Sequence, residues 1–231
     1  MYHDAQIILG AVSIALALGL VYLFFKVYRT QRGIYLLGLP FGFLFLSLSY
    51  LFLGIHLASP YEQTLSGSLM WLRVITQTGG FLLIALSYLL SNRNQPQKTT
   101  QYSFTTLSLM LVVSVICLFC LIAALNPPGL SIIYSINEIF TIVNLGFLSC
   151  VIVYLFRKRQ HSNGAAGLLS APLGFTVLWL GQLAFLIWDV GHNEIPLLGS
   201  QIARIIGLAI FIGIYYQAIK GAPKSDCRQT K

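Results

Sequence analysis

The chain has 231 residues, 57% of them hydrophobic and only 9% charged, with a formal net charge of +8 and a mean hydropathy of +0.79. That composition excludes an ordinary soluble domain with a large core and points to a helical membrane protein. One helical membrane domain accounts for the whole length, with no segment left over for a soluble catalytic domain.

In chain order, apolar runs of about 20 residues predict seven transmembrane helices, because a helix needs about that length to cross about 30 Å of hydrocarbon. The spans run from Ala5 to Phe25, Ile34 to Ile55, Leu69 to Leu90, Phe104 to Leu125, Ile132 to Phe156, Leu168 to Val190 and Leu197 to Ile219. Helices are the open-chain way to satisfy backbone hydrogen bonds in lipid. Asn126-Pro127-Pro128-Gly129 reads as a turn between spans 4 and 5, and Asn193-Glu194-Ile195-Pro196 as a short loop between spans 6 and 7.

Charge orients the spans. Lys26, Arg29 and Arg32 follow span 1, Arg93 and Lys98 follow span 3, and Arg157, Lys158 and Arg159 follow span 5. Lys220, Lys224, Arg228 and Lys231 lie in the tail, and the alternate connections carry no Lys or Arg. By the positive-inside rule the N-terminus is outside the cell membrane and the C-terminus is cytoplasmic. The positive charge is thus a topology signal, and no basic patch alternates with aromatics as nucleic-acid binding would require. "MYHD" lacks a positive n-region, so span 1 reads as an N-out anchor and not as a cleaved signal. The tail ends Cys227-Arg-Gln-Thr-Lys, one residue too long for a prenylation box.

The chain also repeats itself. Val21-Tyr22-Leu23-Phe24-Phe25-Lys26 returns as Val153-Tyr154-Leu155-Phe156-Arg157-Lys158, 132 positions on. At the same offset, Pro40, Gly42 and Phe43 fall on Pro172, Gly174 and Phe175, and Tyr2 falls on Tyr134, with no gap from Tyr2 to His56. One gap later Arg73 meets Arg204. Matches of Pro, Gly, Tyr and Lys at one offset indicate an internal duplication. Residues 1–92 form the first repeat, 131–220 the second, 103–126 a linker helix, and 221–231 a cytoplasmic tail. An odd linker helix lets both three-helix units insert in the same orientation. This all-α, three-plus-one-plus-three plan resembles that of SWEET sugar transporters and, more loosely, the rhodopsins, in topology alone. Pro96-Gln97 lies in a loop, unlike the Pro-Gln of PQ-loop proteins, and span 7 has no lysine for a retinal Schiff base.

Small residues recur at the same places in both halves. Gly38 and Gly42 align with Ser170 and Gly174, and Ser49 with Gly181. Small-x-x-x-small spacing lets helices approach closely, and a Pro near a helix start removes an N–H that would be unpaired anyway. These features read as architecture.

Chemistry must then sit in the few polar groups within the spans, where ionisable residues are costly and mark a site or a paired charge. Arg73 and Gln77 share one face of span 3, and Gln201 and Arg204 one face of span 7. Asn137 and Thr141 share a face of span 5 with Asn144 one turn on, and Gln182 and Asp189 are seven apart in span 6. Arg204 lies about 12 Å of helix rise below Pro196, and Glu138 about 10 Å into span 5. We expect an outward-facing polar pocket in which Arg73, Gln77, Asn137, Glu138, Gln182, Gln201 and Arg204 bind a small anionic or zwitterionic solute, with Glu138 balancing at least one arginine. Two arginines favour negative charge. The competing structural reading has Arg73 snorkelling to head groups, Arg204 and Glu138 forming an ion pair that locks the halves, and Asp189, Glu194 and Glu62 solvated at loop ends. Trp71 and Trp188 suit the interfacial aromatic belt.

His56 and His192 are the candidates for a metal or haem, but the repeat aligns His56 with Trp188, and no His-x-x-x-His or Glu-x-x-His occurs. We expect no cofactor. Cys117 and Cys120 have the spelling of a redox motif without a thioredoxin-like context, and with Cys150 they read as small apolar residues. No nucleophile, base and orienter set points to an enzyme. Three readings follow: a protein that binds or senses a small polar solute, a transporter in which the two repeats rock about the pocket, and an accessory subunit of a larger membrane complex. All three place the protein in the lipid bilayer, and a membrane-protein partner is required by the third.

Overall fold

The computed structural model describes residues 2–31, 37–58, 63–91, 130–160, 170–191 and 194–221. They form six helices: α1 (Tyr2–Gln31), α2 (Gly38–Ala58), α3 (Gln63–Ser91), α4 (Leu130–Gln160), α5 (Ser170–Gly191) and α6 (Glu194–Gly221). Each is long and apolar enough to cross a membrane, the make-up of a multi-pass membrane protein. They cover the expected spans 1–3 and 5–7. The expected span 4, Phe104–Leu125, lies outside the described residues, as do Cys117, Cys120, His192 and the tail beyond Gly221.

Helix starts follow backbone chemistry. Pro40, Pro172 and Pro196 are each the third residue of their helix, where an N–H has no intrahelical acceptor and its loss costs nothing. α2 is described from Gly38, and the expected start at Ile34 lies outside the described residues. Serine and threonine hydroxyls inside the helices turn back onto the preceding turn. Ser13 donates to the Leu9 carbonyl at 2.8 Å and Thr141 to the Asn137 carbonyl at 2.8 Å. A polar side chain satisfied by its own helix can sit in an apolar bundle at little cost.

The helices pack as a ring: α1 on α2, α2 on α3, α3 on α4, α4 on α5, α5 on α6, and α6 back on α1. Exchanging α1, α2 and α3 for α4, α5 and α6 maps this set of neighbours onto itself. The tightest crossings use aligned residues. A Cβ on Gly42 would meet Ile84 Cγ1 at 2.6 Å and the Gly80 carbonyl at 2.9 Å, while one on Gly174 would meet Phe211 Cζ at 2.9 Å. Only glycine lets α2 lie this close to α3, and α5 this close to α6.

α3 is the most enclosed helix and α1 the least, with 72% and 22% of their apolar stretches buried. α1 is also the most apolar of the six and α3 the least. In lipid the apolar surface belongs outside, so the helix that carries polar groups must take the inner place.

The two ends of the bundle differ. Toward the ends of α1, α3, α4 and α6 and the starts of α2 and α5, aromatic rings fill the interior. Phe24 stacks on Phe43 (5.3 Å between centroids), Phe175 meets Phe211 edge-on (4.6 Å), and Tyr88 meets Phe175 (5.4 Å). Phe43 and Phe175 are aligned residues of the two halves, and both contact Phe211. Offset and edge-to-face contacts of this kind close a largely apolar core. The opposite end, where α1, α3, α4 and α6 begin, is polar.

Candidate functional site

At that end, side chains normally kept in water are buried. Arg73 on α3 is 1% exposed and Arg204 on α6 is 4% exposed. Gln6, Gln77, Asn137, Thr141, Asn144, Gln182, Asp189, Ser200 and Gln201 are buried with them. The amphipathic spacing explains why: Asn137, Thr141 and Asn144 lie on the inward face of α4, with Ile139 and Ile142 on the face turned outward.

Each arginine lies over an aromatic ring of the other half. The Arg73 guanidinium sits 4.1 Å from the centroid of Phe185 on α5, and that of Arg204 sits 4.3 Å from the centroid of Tyr50 on α2. Both stacks cross the interior between helices that are not neighbours in the ring. A ring face answers a buried cation through its quadrupole, and a desolvated contact is worth about 2 kcal/mol or more. Stacking covers the flat of the guanidinium and leaves its N–H edge free to bond in plane. On that edge Arg73 Nη1 meets the Met70 sulfur at 3.6 Å, and Nη2 is buried without a partner among the described residues.

Three expectations from sequence are corrected here. Arg204 and Glu138 do not pair: Glu138 is partly exposed beside the inward stripe of α4, and the Tyr50 ring takes the place expected for an acid. Asp189 is not a solvated loop-end residue but is 5% exposed. Its Oδ2 accepts from Asn137 Nδ2 at 2.6 Å, a charge-assisted bond that holds α4 to α5. Asp189 also lies within electrostatic range of Arg73, as do Arg204 and the Tyr50 hydroxyl. Arg73 does not snorkel. Its backbone lies far enough along α3 that the side chain turns into the bundle and finds a ring.

Around these charges many polar atoms are left open. The Tyr50 hydroxyl, Gln77 Nε2, Asn144 Oδ1, Gln182 Oε1, Ser200 Oγ and both amide atoms of Gln201 are buried without a hydrogen-bond partner among the described residues. Buried polar groups are normally paired, with protein, water or ligand, and each one left open costs about 1–3 kcal/mol. Six such side chains, carrying seven open atoms, gather with Arg73 Nη2 toward one end of the bundle. The structure thus buries Arg73, Gln77, Asn137, Gln182, Gln201 and Arg204 in the bundle and leaves Glu138 at its margin.

Sequence reasoning missed Tyr50 and Phe185 as the faces that meet the arginines. One signal for Tyr50 was present: the repeat aligns it with Gln182, so a polar atom recurs at that depth in both halves. Phe185 aligns with Leu53 and carries no such signal. Of the histidines, His56 is half-buried within range of the Arg73 charge. Among the described residues no three His, Cys, Asp or Glu side chains cluster as metal ligands. Cys150 is a free thiol on the outer surface of α4.

No family model matches the chain, and no curated protein or solved structure matches it either. The residues themselves must therefore carry the functional argument.

Proposed function

We propose that this protein binds a small anionic or zwitterionic solute at the polar end of its bundle, reached from outside the cell membrane. The observation that carries the reading is the pair of buried arginines whose faces are stacked, with Arg73 Nη2 left without a hydrogen-bond partner among the described residues. A structural ion pair would have used those edges. The aromatic packing at the other end argues for approach from the polar side. Lys26, Arg29 and Arg157 lie at the aromatic end, which by the positive-inside rule faces the cytoplasm.

Two further features support a seventh crossing and a duplicated plan. α3 and α4 run in the same direction, since Trp71 meets Phe140 near their starts and Tyr88 meets Tyr154 near their ends. The chain thus leaves α3 at one end and enters α4 at the other, as an additional span between them requires. The neighbour pattern is also unchanged when the halves are exchanged.

That exchange favours the transporter as the second reading. Each arginine is held by a ring of the other half, so movement of one half against the other would open both stacks together. A screen of carboxylates, phosphates and amino acids for thermal stabilisation of the purified protein tests binding. Stabilisation that disappears in Arg73→Met and in Arg204→Met supports the site, and no response to any class sinks it. Uptake of a binding solute into proteoliposomes separates transport from sensing.

A further inference from the structure

We infer that the site selects a singly charged oxyanion, and that Asp189 sets this charge. The inference rests on the binding reading above and narrows it from anions and zwitterions to monoanions.

Three formal charges are buried among the described residues. Arg73 and Arg204 each contribute a positive charge, since a guanidinium does not lose its proton in a protein. Asp189 contributes a negative one, held by the Asn137 amide at 2.6 Å and by the field of Arg73. Two cations and one anion leave a single positive charge in a medium where an unbalanced charge is expensive. One negative charge neutralises it. A zwitterion brings none, and a dianion overshoots.

Geometry specifies the chemistry of that charge. Phe185 and Tyr50 cover the guanidinium faces, so a ligand meets the arginines edge-on. A planar guanidinium edge matches the two oxygens of a carboxylate or a phosphate diester. Beyond the anion, the open Gln77 and Gln201 amides and the Tyr50 hydroxyl offer donors, and Gln182 Oε1 and Asn144 Oδ1 offer acceptors. They suit a hydroxyl on the ligand. A free hydroxycarboxylate and the headgroup of an anionic lipid share this chemistry.

The test uses the purified full chain at pH 8. Lactate, succinate and alanine are compared as monoanion, dianion and zwitterion by calorimetry in lipid-free detergent. Phosphatidylglycerol in otherwise phosphatidylcholine nanodiscs is compared with pure phosphatidylcholine by thermal unfolding. We expect lactate, or phosphatidylglycerol if the source is lipid, to bind at least about tenfold tighter than succinate or alanine, a factor that corresponds to about 1.4 kcal/mol. In Asp189→Asn the preference should move toward succinate by about the same factor, and Asp189→Glu should keep the native order. Succinate or alanine binding the native protein as well as lactate does would overturn the charge count while leaving an oxyanion or solute site in place. An unchanged lactate-to-succinate ratio in Asp189→Asn would overturn the role of Asp189. Should that variant fail to fold, the native comparison still decides the charge count. Binding of no probe in either medium, or binding that survives both Arg73→Met and Arg204→Met, would remove the site itself.

Discussion

The Arg204 guanidinium lies 4.3 Å above the ring of Tyr50, an aromatic residue on the second helix of the opposite half. Arg73 makes the corresponding contact with Phe185 at 4.1 Å. Cations that sequence alone would pair with an acid are here met by π faces. The difference decides what each group does when it is changed.

Tyr50 should tolerate loss of its hydroxyl but not of its ring. The hydroxyl is buried without a partner among the described residues, so Tyr50→Phe should change unfolding stability by less than about 1 kcal/mol. Tyr50→Ala empties a fully buried position and uncovers Arg204, and should cost about 3–5 kcal/mol. Denaturation in detergent micelles measures both. Equal losses in the two variants would mean that the hydroxyl and not the ring holds Arg204.

Arg204 and Glu138 should be energetically independent. In a double-mutant cycle, Arg204→Met and Glu138→Met should add within about 0.5 kcal/mol. The cycle of Arg73→Met with Phe185→Leu should instead show coupling of about 1–2 kcal/mol. Strong coupling in the first cycle would restore the ion pair that the structure replaces with a ring.

The bond from Asn137 to Asp189 is a buried polar tie between α4 and α5. Asn137→Ala removes a charge-assisted donor to a buried carboxylate, so a loss of about 1.5–3 kcal/mol is expected. Asn137→Asp places a second carboxylate beside the first and should be worse. A stability at the native level in Asn137→Ala would show that Asp189 has another adequate donor.

Gly42→Ala should force α2 from α3, because its Cβ would lie 2.6 Å from Ile84 and 2.9 Å from the Gly80 carbonyl. Overpacking of this kind costs about 1–3 kcal/mol. Gly54→Ala on the same helix meets nothing within 4 Å and should be neutral or stabilising by up to about 1 kcal/mol. The contrast separates helix contact from helix propensity, and similar effects at both sites would argue against the close crossing.

Orientation can be read on intact cells. A cysteine placed at Glu62 should react with an impermeant thiol reagent, and native Cys227 should not. The reverse labelling would put the polar end on the cytoplasmic side.

The class of structure and most of the buried polar residues are legible in the chain itself. Apolar runs of helical length and the proline positions sufficed for six helices, because in lipid the backbone has no other open-chain way to satisfy its hydrogen bonds. Periodicity placed Arg73 with Gln77, and Gln201 with Arg204, on shared faces, because residues three and four apart on a helix are neighbours by geometry alone. Partners across helices are a different matter. Whether Arg204 met Glu138 or Tyr50, and whether Asp189 faced water or Asn137, depended on the rotation of each helix about its axis. That rotation is set by which side chains interlock at the crossings, with Gly42 against Gly80 and Gly174 against Phe211. A span as uniformly apolar as α2 carries little sequence signal of its rotation, so only the packed bundle decided that the ring of Tyr50 would turn inward and lie under an arginine.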